Sequence, residues 1–259
     1  MIQLEICVRL EKGQPVKKKL VLLVLVLGAV LSTFAQQKED EQLANSAAVL
    51  RGLVGDRGLP TSILDRAKCI VIFPSVKKVA IGIGGSYGRG VIVCREGSEM
   101  NGGWGAPAMY KLDQGSIGVQ LGSTATDFVL VVMSQRGVQQ ILSGNTKLGA
   151  NAAVAAGPTG SQAAGYDASS NHVDVLTYSR AKGLFAGVSL EGASLESDDD
   201  ANKSLYGKDI SAKYIVLNCG VPPPEAANQL LSILNKTSPG PKEPPGCEGG
   251  TPGRNPKHP

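Results

Sequence analysis

The chain has 259 residues and a formal net charge of +4, with 42% hydrophobic and 19% charged residues. This composition excludes an intrinsically disordered chain and is sufficient for one sizeable core. The two histidines are too few for most zinc sites or for a well-supplied acid–base triad. The composition therefore predicts a globular protein that is not an enzyme and holds no metal or cofactor.

The first 35 residues are typical of an export signal. A basic segment over Val16–Lys19 precedes an uncharged run over Leu20–Phe34, and Thr33–Ala35 provides a small-residue cleavage site. The run is shorter than the about 20 residues that cross a bilayer, with an uncleaved anchor as the alternative. We predict a leader over residues 1–35, with Val16 as an alternative start of translation, and an exported, periplasmic or extracellular protein.

The positive charge is concentrated in this leader. Residues 1–35 carry five basic and two acidic side chains, so the chain that follows has a net charge near +1. Nucleic-acid binding needs a surplus of lysine and arginine, and this balance argues against it. Beyond the leader, Lys77 and Lys78 form the one adjacent basic pair.

The first elements after the leader are predicted helices. Apolar residues recur at helical spacing over residues 38–54, with acidic residues in the first turn, which indicates an amphipathic helix. A second short helix is expected over Pro60–Ala67, because proline is tolerated in the first turn.

From residue 69 to residue 134 the pattern changes to short β-branched runs separated by glycines. Such runs predict a curved antiparallel sheet, arranged as a sandwich or a partial barrel, and the glycines within them indicate bulges or close backbone approach. The predicted strands cover residues 69–73, 79–83, 90–95, 106–112, 116–121 and 127–134.

Two cysteines lie at the ends of predicted strands. Cys69 opens one apolar run and Cys94 closes another, so neighbouring strands of one sheet would bring the two together. A disulfide between them suits an exported protein, and two buried free thiols are the alternative. Whether Cys219 and Cys247 pair is left open.

The second half of the chain continues the mixture of helices and strands. A helix is predicted over residues 135–142, a short helix begins after Asp198, and a closing helix covers residues 222–236. Strands are expected near residues 152–156, 173–179 and 184–195. Together these elements predict a single α+β domain over residues 36–237, followed by a disordered proline- and glycine-rich tail over residues 238–259.

The sequence contains one pattern that resembles a catalytic motif. Gly84–Gly88 matches Gly-x-Ser-x-Gly, and Ser86, Asp127 and His172 occur in the chain order of an α/β-hydrolase triad. The segment after Gly88 is β-like, whereas a nucleophile elbow needs a helix there. We expect glycines of a tight hairpin rather than a nucleophile, and an ordinary surface position for His172.

Two further positions are interpreted structurally. Asp198, with the aspartates that follow it, is expected to be a solvated helix cap, because the run lacks the glycine and the terminal glutamate of a calcium loop. Trp104 is expected to anchor the core or a sheet edge.

Four segments together resemble the SYLF domain, also called the Ysc84-like or Las17-binding family. The similarity runs from about Ala44 to Leu217 in matching order. The segments are Phe73–Lys78, Gly84–Gly90, Trp104–Ala108 and Ser179–Gly192.

This resemblance implies an α+β domain that binds anionic lipids and carries no catalytic activity, with actin binding described for eukaryotic members. The matching basic positions are Lys77, Lys78 and Arg89, which we take as candidate lipid contacts beside an apolar helix face. The first helix, however, begins Lys38-Glu39-Asp40-Glu41, and an acidic turn opposes an anionic membrane. An anionic membrane surface is the predicted partner, and a scaffolding role with a protein partner is the alternative.

Overall fold

The structure is a computed structural model, and the predicted leader lies outside its described part, as do Cys219 and Cys247. The structure describes residues 36–54, 58–79, 84–116, 125–159, 166–168, 172–181, 184–187, 190–218 and 220–241.

The described residues form both helices and strands. The helices are α1 (36–53), α2 (Thr61–Leu64), α3 (Gln135–Ile141), α4 (Asp199–Tyr206), α5 (Ala212–Leu217) and α6 (Asn228–Thr237), with a 3₁₀ turn at Glu225–Ala227. The strands are β1 (Cys69–Val79), β2 (Gly84–Cys94), β3 (Ala108–Ser116), β4 (Thr126–Val132), β5 (Thr146–Lys147), β6 (Val154–Ala156), β7 (Val175–Ala181), β8 (Leu184–Gly187) and β9 (Ser194–Ser197).

The strands form one curled sheet that resembles half of a barrel, which confirms the α+β class. Their order is β5-β9-β3-β2-β1-β4-β7-β6, and β8 also pairs with β7. The pairings are antiparallel except that of β6 with β7, which is parallel. Of the two predicted arrangements the structure has the partial barrel, and its single sheet is covered by helices.

Both faces of β1 are buried over residues 69–73. Along β1, Ile70 and Ile72 face a core that includes residues of α1, α2, α4 and α6. Val71 and Phe73 face the opposite core, which includes residues of α3 and α5. A strand buried on both faces has a continuous apolar sequence, which explains why the β1 segment shows no alternation of apolar and polar residues.

The apolar stripe of α1 packs against the sheet. Leu43, Ala47 and Leu50 have no exposed surface, which confirms the predicted amphipathic helix. Because this stripe lies in the core, it provides no apolar helix face for a membrane in this conformation.

The glycine motif over residues 84–88 lies in β2, the second strand of the antiparallel β1–β2 hairpin. A Cβ atom at Gly90 would lie 2.1 Å from the Ile72 carbonyl oxygen, and one at Gly88 would lie 2.6 Å from Val76 Cγ2. The register between β1 and β2 shifts between Ile72 and Lys77. The expected hairpin is therefore present, and these glycines, within its second strand, let β1 approach β2 at an irregular stretch of the pairing.

The predictions for the second half were correct in type but not in extent. The single strand expected near residues 184–195 is two strands, β8 and β9. They lie towards opposite ends of the strand order, where β8 pairs with β7 and β9 pairs with β3. Helix α5 was not predicted. Ser238, which the sequence analysis assigned to the tail, is fully buried.

Candidate functional site

Arg89 on β2 lies in a network of charged side chains. Its Nη2 atom is 3.0 Å from Glu39 Oε1, and its Nε is 2.9 Å from Asp198 Oδ2. Lys111 on β3 contributes Nζ, 3.0 Å from Asp198 Oδ1. Both carboxylates are buried, whereas the two cationic side chains keep about a third of their surface exposed. Two positive and two negative charges thus compensate one another.

This network joins four elements, α1, β2, β3 and the start of α4. Glu39 lies in the first turn of α1, and Gln42 one turn later donates from Nε2 to the Arg89 carbonyl oxygen at 2.6 Å. Asp198 is the N-cap of α4 and accepts from the Ala201 amide at 3.4 Å. The predicted cap is confirmed, but Asp198 is buried rather than solvated, because its carboxylate also accepts a hydrogen bond from Arg89 Nε.

The environment of Glu39 shifts its pKa. Burial raises the pKa of this carboxyl above its ordinary value, and the hydrogen bonds and charge of Arg89 offset only part of the rise. The pKa of Lys111 is also raised, mainly by its hydrogen bond to Asp198. The network therefore favours the charged forms of Arg89 and Lys111, whereas the ionised form of Glu39 is disfavoured.

Lys77 lies at the surface, at the end of the sheet where β1 ends and β2 begins. It is exposed and pairs in register with Tyr87, whose side chain is 44% exposed. The backbone of Lys78 pairs with that of Ser86, while the side chain of Lys78 lies outside the described part. The structure thus separates the three predicted lipid contacts: Lys77 faces solvent, and Arg89 is paired with buried carboxylates.

A second arginine, Arg95, directly follows β2. It is 4% exposed and donates from Nε to Ala67 O at 3.1 Å and from Nη1 to Gly102 O at 2.9 Å. Its Nη2 donates to Ser238 Oγ at 2.5 Å and to the carbonyl oxygens of Ser238 and Leu64. Arg95 therefore joins the end of α2 to the residue that follows α6.

Trp104 completes this second arrangement. The Arg95 guanidinium carbon lies 4.4 Å from the Trp104 ring centroid, and the indole Nε1 donates to the Ser238 carbonyl at 3.0 Å. Trp104 is buried, which confirms its predicted role as an anchor. Arg95 also lines a cavity of about 400 Å³, together with Arg66, Lys68 and other residues.

The structure places the two predicted cysteines opposite each other. Cys69 pairs with Cys94 in the β1–β2 register, both are buried, and their sulfurs lie 2.04 Å apart. The disulfide stays a prediction, which a thiol count on the denatured, unreduced protein would test.

The catalytic motif has no catalytic context in the described residues. Ser86 is buried within β2, and β2 leads to no helix of the kind that a nucleophile elbow needs. Asp127 accepts from the Ser75 amide and from Arg180, and His172 is exposed as expected. In the same residues we find no cluster of acidic, histidine and cysteine side chains suited to a metal. Nor is any helix there long and apolar enough to cross a membrane.

Sequence reasoning missed the partners of both arginines. Glu39 and Asp198 are 50 and 109 residues from Arg89, and Ser238 is 143 residues from Arg95. The sequence gives a weak sign at Glu39, because this acidic residue lies one helical turn before Leu43 and therefore on the apolar side of α1. The sequence showed no comparable sign for Arg95.

Comparison with known proteins agrees with the resemblance found in the sequence. The family model described as Ysc84, Las17-binding protein actin regulator, matches residues 113–237. An SH3 domain-containing protein of Schizosaccharomyces pombe is 41% identical over 180 residues, which cover 68% of this chain and 41% of that protein.

Two proteins of Saccharomyces cerevisiae are also similar. Protein YSC84 is 38% identical over 199 residues, covering 73% of this chain and 42% of the relative. LAS seventeen-binding protein 3 is 35% identical over 182 residues, covering 69% and 39%. The chain thus spans about two fifths of these relatives. With the family match over residues 113–237 and these identities, the chain belongs to the Ysc84, or SYLF, family.

Proposed function

We propose that this protein is a non-catalytic binding module that docks on anionic phospholipid surfaces through the end of the sheet that carries Lys77, Lys78 and Tyr87. The observation that carries the proposal is the exposed Lys77 directly opposite the half-exposed Tyr87. A lysine beside an accessible tyrosine suits the membrane interface, because the ammonium attracts anionic headgroups and the ring sits at headgroup level.

The ion pairs of the neighbouring network reduce the number of basic residues that are available to bind lipid. Arg89 and Lys111 are compensated by Glu39 and Asp198, so they add little net potential at the surface. Lys77 forms no ion pair with any carboxylate that the structure describes. We therefore assign Arg89 to holding α1 against β2, and the lysine pair to the lipid.

The acidic start of α1 opposes this docking less than its sequence suggests. Glu39, one of its three acidic residues, is turned inward and paired with Arg89. Less negative charge therefore faces a membrane than the sequence alone indicates.

Vesicle flotation at low salt tests the proposal. We expect the protein to float with phosphatidylcholine vesicles in proportion to their phosphatidylserine content, and to be released as salt screens the attraction. The double variant Lys77→Glu/Lys78→Glu should lower the partition coefficient about tenfold or more, since each lysine near an anionic surface contributes about 1 kcal/mol.

The matched control reverses a charge elsewhere. Lys147 is exposed on β5, four strands from β1 in the sheet order, so Lys147→Glu should change the partition much less. Equal binding by the double variant and by wild type, or no binding at any phosphatidylserine content, would refute the lipid function.

A protein partner is the second candidate, favoured by a separate exposed surface on α5. Tyr214 is 50% and Leu217 is 49% exposed, and they lie three residues apart on one side of the helix. A relative is named for binding LAS seventeen, and the family description names Las17. Binding to purified Las17 that Tyr214→Ser/Leu217→Ser abolishes, with flotation unchanged, would support this second function.

We further propose that residues 1–35 direct export and are removed, so that the domain acts on an extracytoplasmic membrane surface. N-terminal sequencing of the protein recovered from its source decides this: a start at Gln36 supports the proposal, and a start at Met1 contradicts it.

A further inference from the structure

Arg95 is a buried cation whose described hydrogen-bond partners are all neutral. Its guanidinium donates to backbone carbonyl oxygens and to the Ser238 hydroxyl, and no carboxylate of the described residues forms an ion pair with it. A buried charge is costly unless a counterion compensates it. Carbonyl dipoles and the Trp104 ring supply part of this compensation. The carboxylate of Asp65 is linked to Arg95 through the Ser238 hydroxyl and forms no direct ion pair with it.

The donors around Arg95 are not all used. Nη1 carries two N–H groups, and the described residues provide one acceptor for it, Gly102 O. Lys68 Nζ has three N–H groups and one such acceptor, Glu99 O at 2.7 Å. Arg66, which is exposed, uses Nε on the Ser62 carbonyl. Hydrogen-bond donors of three cations thus remain available.

These three cations line one cavity of about 400 Å³. The acidic residue in its lining is Asp65, whose Oδ1 already accepts from Ser238 Oγ at 2.6 Å. The lining therefore carries a positive surplus. A volume of this size lies within the range of small-molecule sites and exceeds what a bare phosphate ion fills.

We propose that this cavity is a binding site for a small phosphate monoester, whose dianionic group supplies the directly bound counterion that Arg95 lacks among the described residues. Lys68 and Arg66, the more exposed cations, bind the phosphate oxygens, and the buried Arg95 contributes its charge and its remaining Nη1 hydrogen. Phosphate is the favoured group because guanidinium and ammonium donors match its oxygens. The site lies where β1 starts and β2 ends, whereas Lys77 lies towards the other end of the same two strands.

Isothermal titration calorimetry with glycerol 3-phosphate, with chloride at equal ionic strength as the baseline, tests the site. We expect saturable binding with one site per chain. Because Arg95 also holds the fold together, the test uses Lys68→Gln/Arg66→Gln, which should weaken binding about tenfold or more. Lys147→Gln, an exposed lysine outside the cavity, should leave the affinity unchanged.

Two probes distinguish the source of the phosphate group. Inorganic phosphate tests the free ion, and vesicles with phosphatidic acid test a monoester at a lipid headgroup. Binding to those vesicles that Lys68→Gln/Arg66→Gln removes, while Lys77→Glu/Lys78→Glu does not, would assign the site to a lipid. No saturable binding of glycerol 3-phosphate, or equal binding by wild type and Lys68→Gln/Arg66→Gln, would overturn the proposal and leave the flotation result untouched.

Discussion

Arg89 lies on β2 and Arg95 directly follows this strand, six residues later, yet the surroundings of the two guanidinium groups shift their pKa in opposite directions. Burial lowers the pKa of both guanidinium groups. At Arg89 the hydrogen bonds and charges of Glu39 and Asp198 outweigh burial, so its pKa lies above the ordinary value. At Arg95 burial prevails and the pKa lies below it, with the charge of Asp65 as a smaller opposing effect.

The difference shows that a basic residue near a surface is not a measure of binding potential. Arg89 matches the family pattern, but its charge is already used within the fold. Arg95 was not singled out in the sequence, but none of its described hydrogen bonds goes to a carboxylate, and Asp65 is linked to it through the Ser238 hydroxyl. Substitutions of these arginines and of buried carboxylates test how far this contrast holds.

The largest effect is expected at Arg89. Arg89→Met leaves the buried Glu39 without its partner and Asp198 with Lys111 alone. Removing one member of a buried ion pair costs about 3–5 kcal/mol, and the partial exposure of Arg89 places the loss in the free energy of unfolding at the lower end. Urea denaturation measures it.

The control for this substitution removes the orphaned charge. Arg89→Met/Glu39→Gln should recover part of the lost stability, because the carboxylate that lacked a partner is gone. A double variant no more stable than Arg89→Met would show that the ion pair does not hold α1 in place.

A smaller effect is expected at Arg95. Arg95→Met removes the cation itself, so no charge is orphaned, but the carbonyls of Ala67 and Gly102 and the Ser238 hydroxyl lose their donor. Unsatisfied buried groups of this kind cost about 1–3 kcal/mol, and we expect a loss of about 2 kcal/mol. Thermal unfolding followed by circular dichroism measures it.

Arg66→Met provides the comparison for Arg95, since Arg66 is exposed and should change the stability by less than about 0.5 kcal/mol. If Arg95→Met is as stable as wild type, the cost of burying the Arg95 charge cancels the stabilisation that its hydrogen bonds to the carbonyl oxygens provide.

The sequence predicted the elements better than the contacts between them. The burial of Leu43, Ala47 and Leu50 and the cap at Asp198 follow from periodicity and local hydrogen-bonding rules, which operate within a few residues. Helix α5 was missed because its sequence, Ala-Lys-Tyr-Ile-Val-Leu, is short and rich in residues that favour strands. Its Ser211 cap, which accepts from the Tyr214 amide at 3.2 Å, was the available sign.

The candidate site was harder to predict because its parts are distant in the chain. The basic positions were visible, but whether each is free depends on carboxylates that only the folded sheet brings near. Arg89 needs both α1 and α4 in place, and Arg95 needs the residue after α6. No local pattern encodes such pairings, so the candidate lipid contacts included one residue that the fold already uses.

A third arginine extends the contrast to carboxylates. Asp174 is 4% exposed and accepts from Arg136 Nη2 at 2.6 Å, from Ser134 Oγ at 2.5 Å and from the Ala153 amide at 3.0 Å. Burial raises the pKa of this carboxyl, but the hydrogen bonds together lower it below its ordinary value. Glu39 shares its arginine with Asp198 and has a raised pKa, so the two acids respond oppositely to pH.

The smallest expected effect is therefore a difference in the sign of the pH dependence. Folded protein binds a proton at Glu39 more tightly than unfolded protein does, so this position gains stability as the pH falls from 7 through its raised pKa towards 4.5. Relative to Glu39→Gln, wild type should become more stable over that range. Relative to Asp174→Asn, wild type should keep its advantage down to about the ordinary pKa of 3.8 and lose it below, as the pH falls through the depressed pKa. Urea unfolding of the three proteins from pH 7 to pH 3 measures both profiles. Parallel profiles for wild type and Glu39→Gln would show that Arg89 compensates both of its carboxylates in full, and the contrast between a shared and a dedicated arginine would fail.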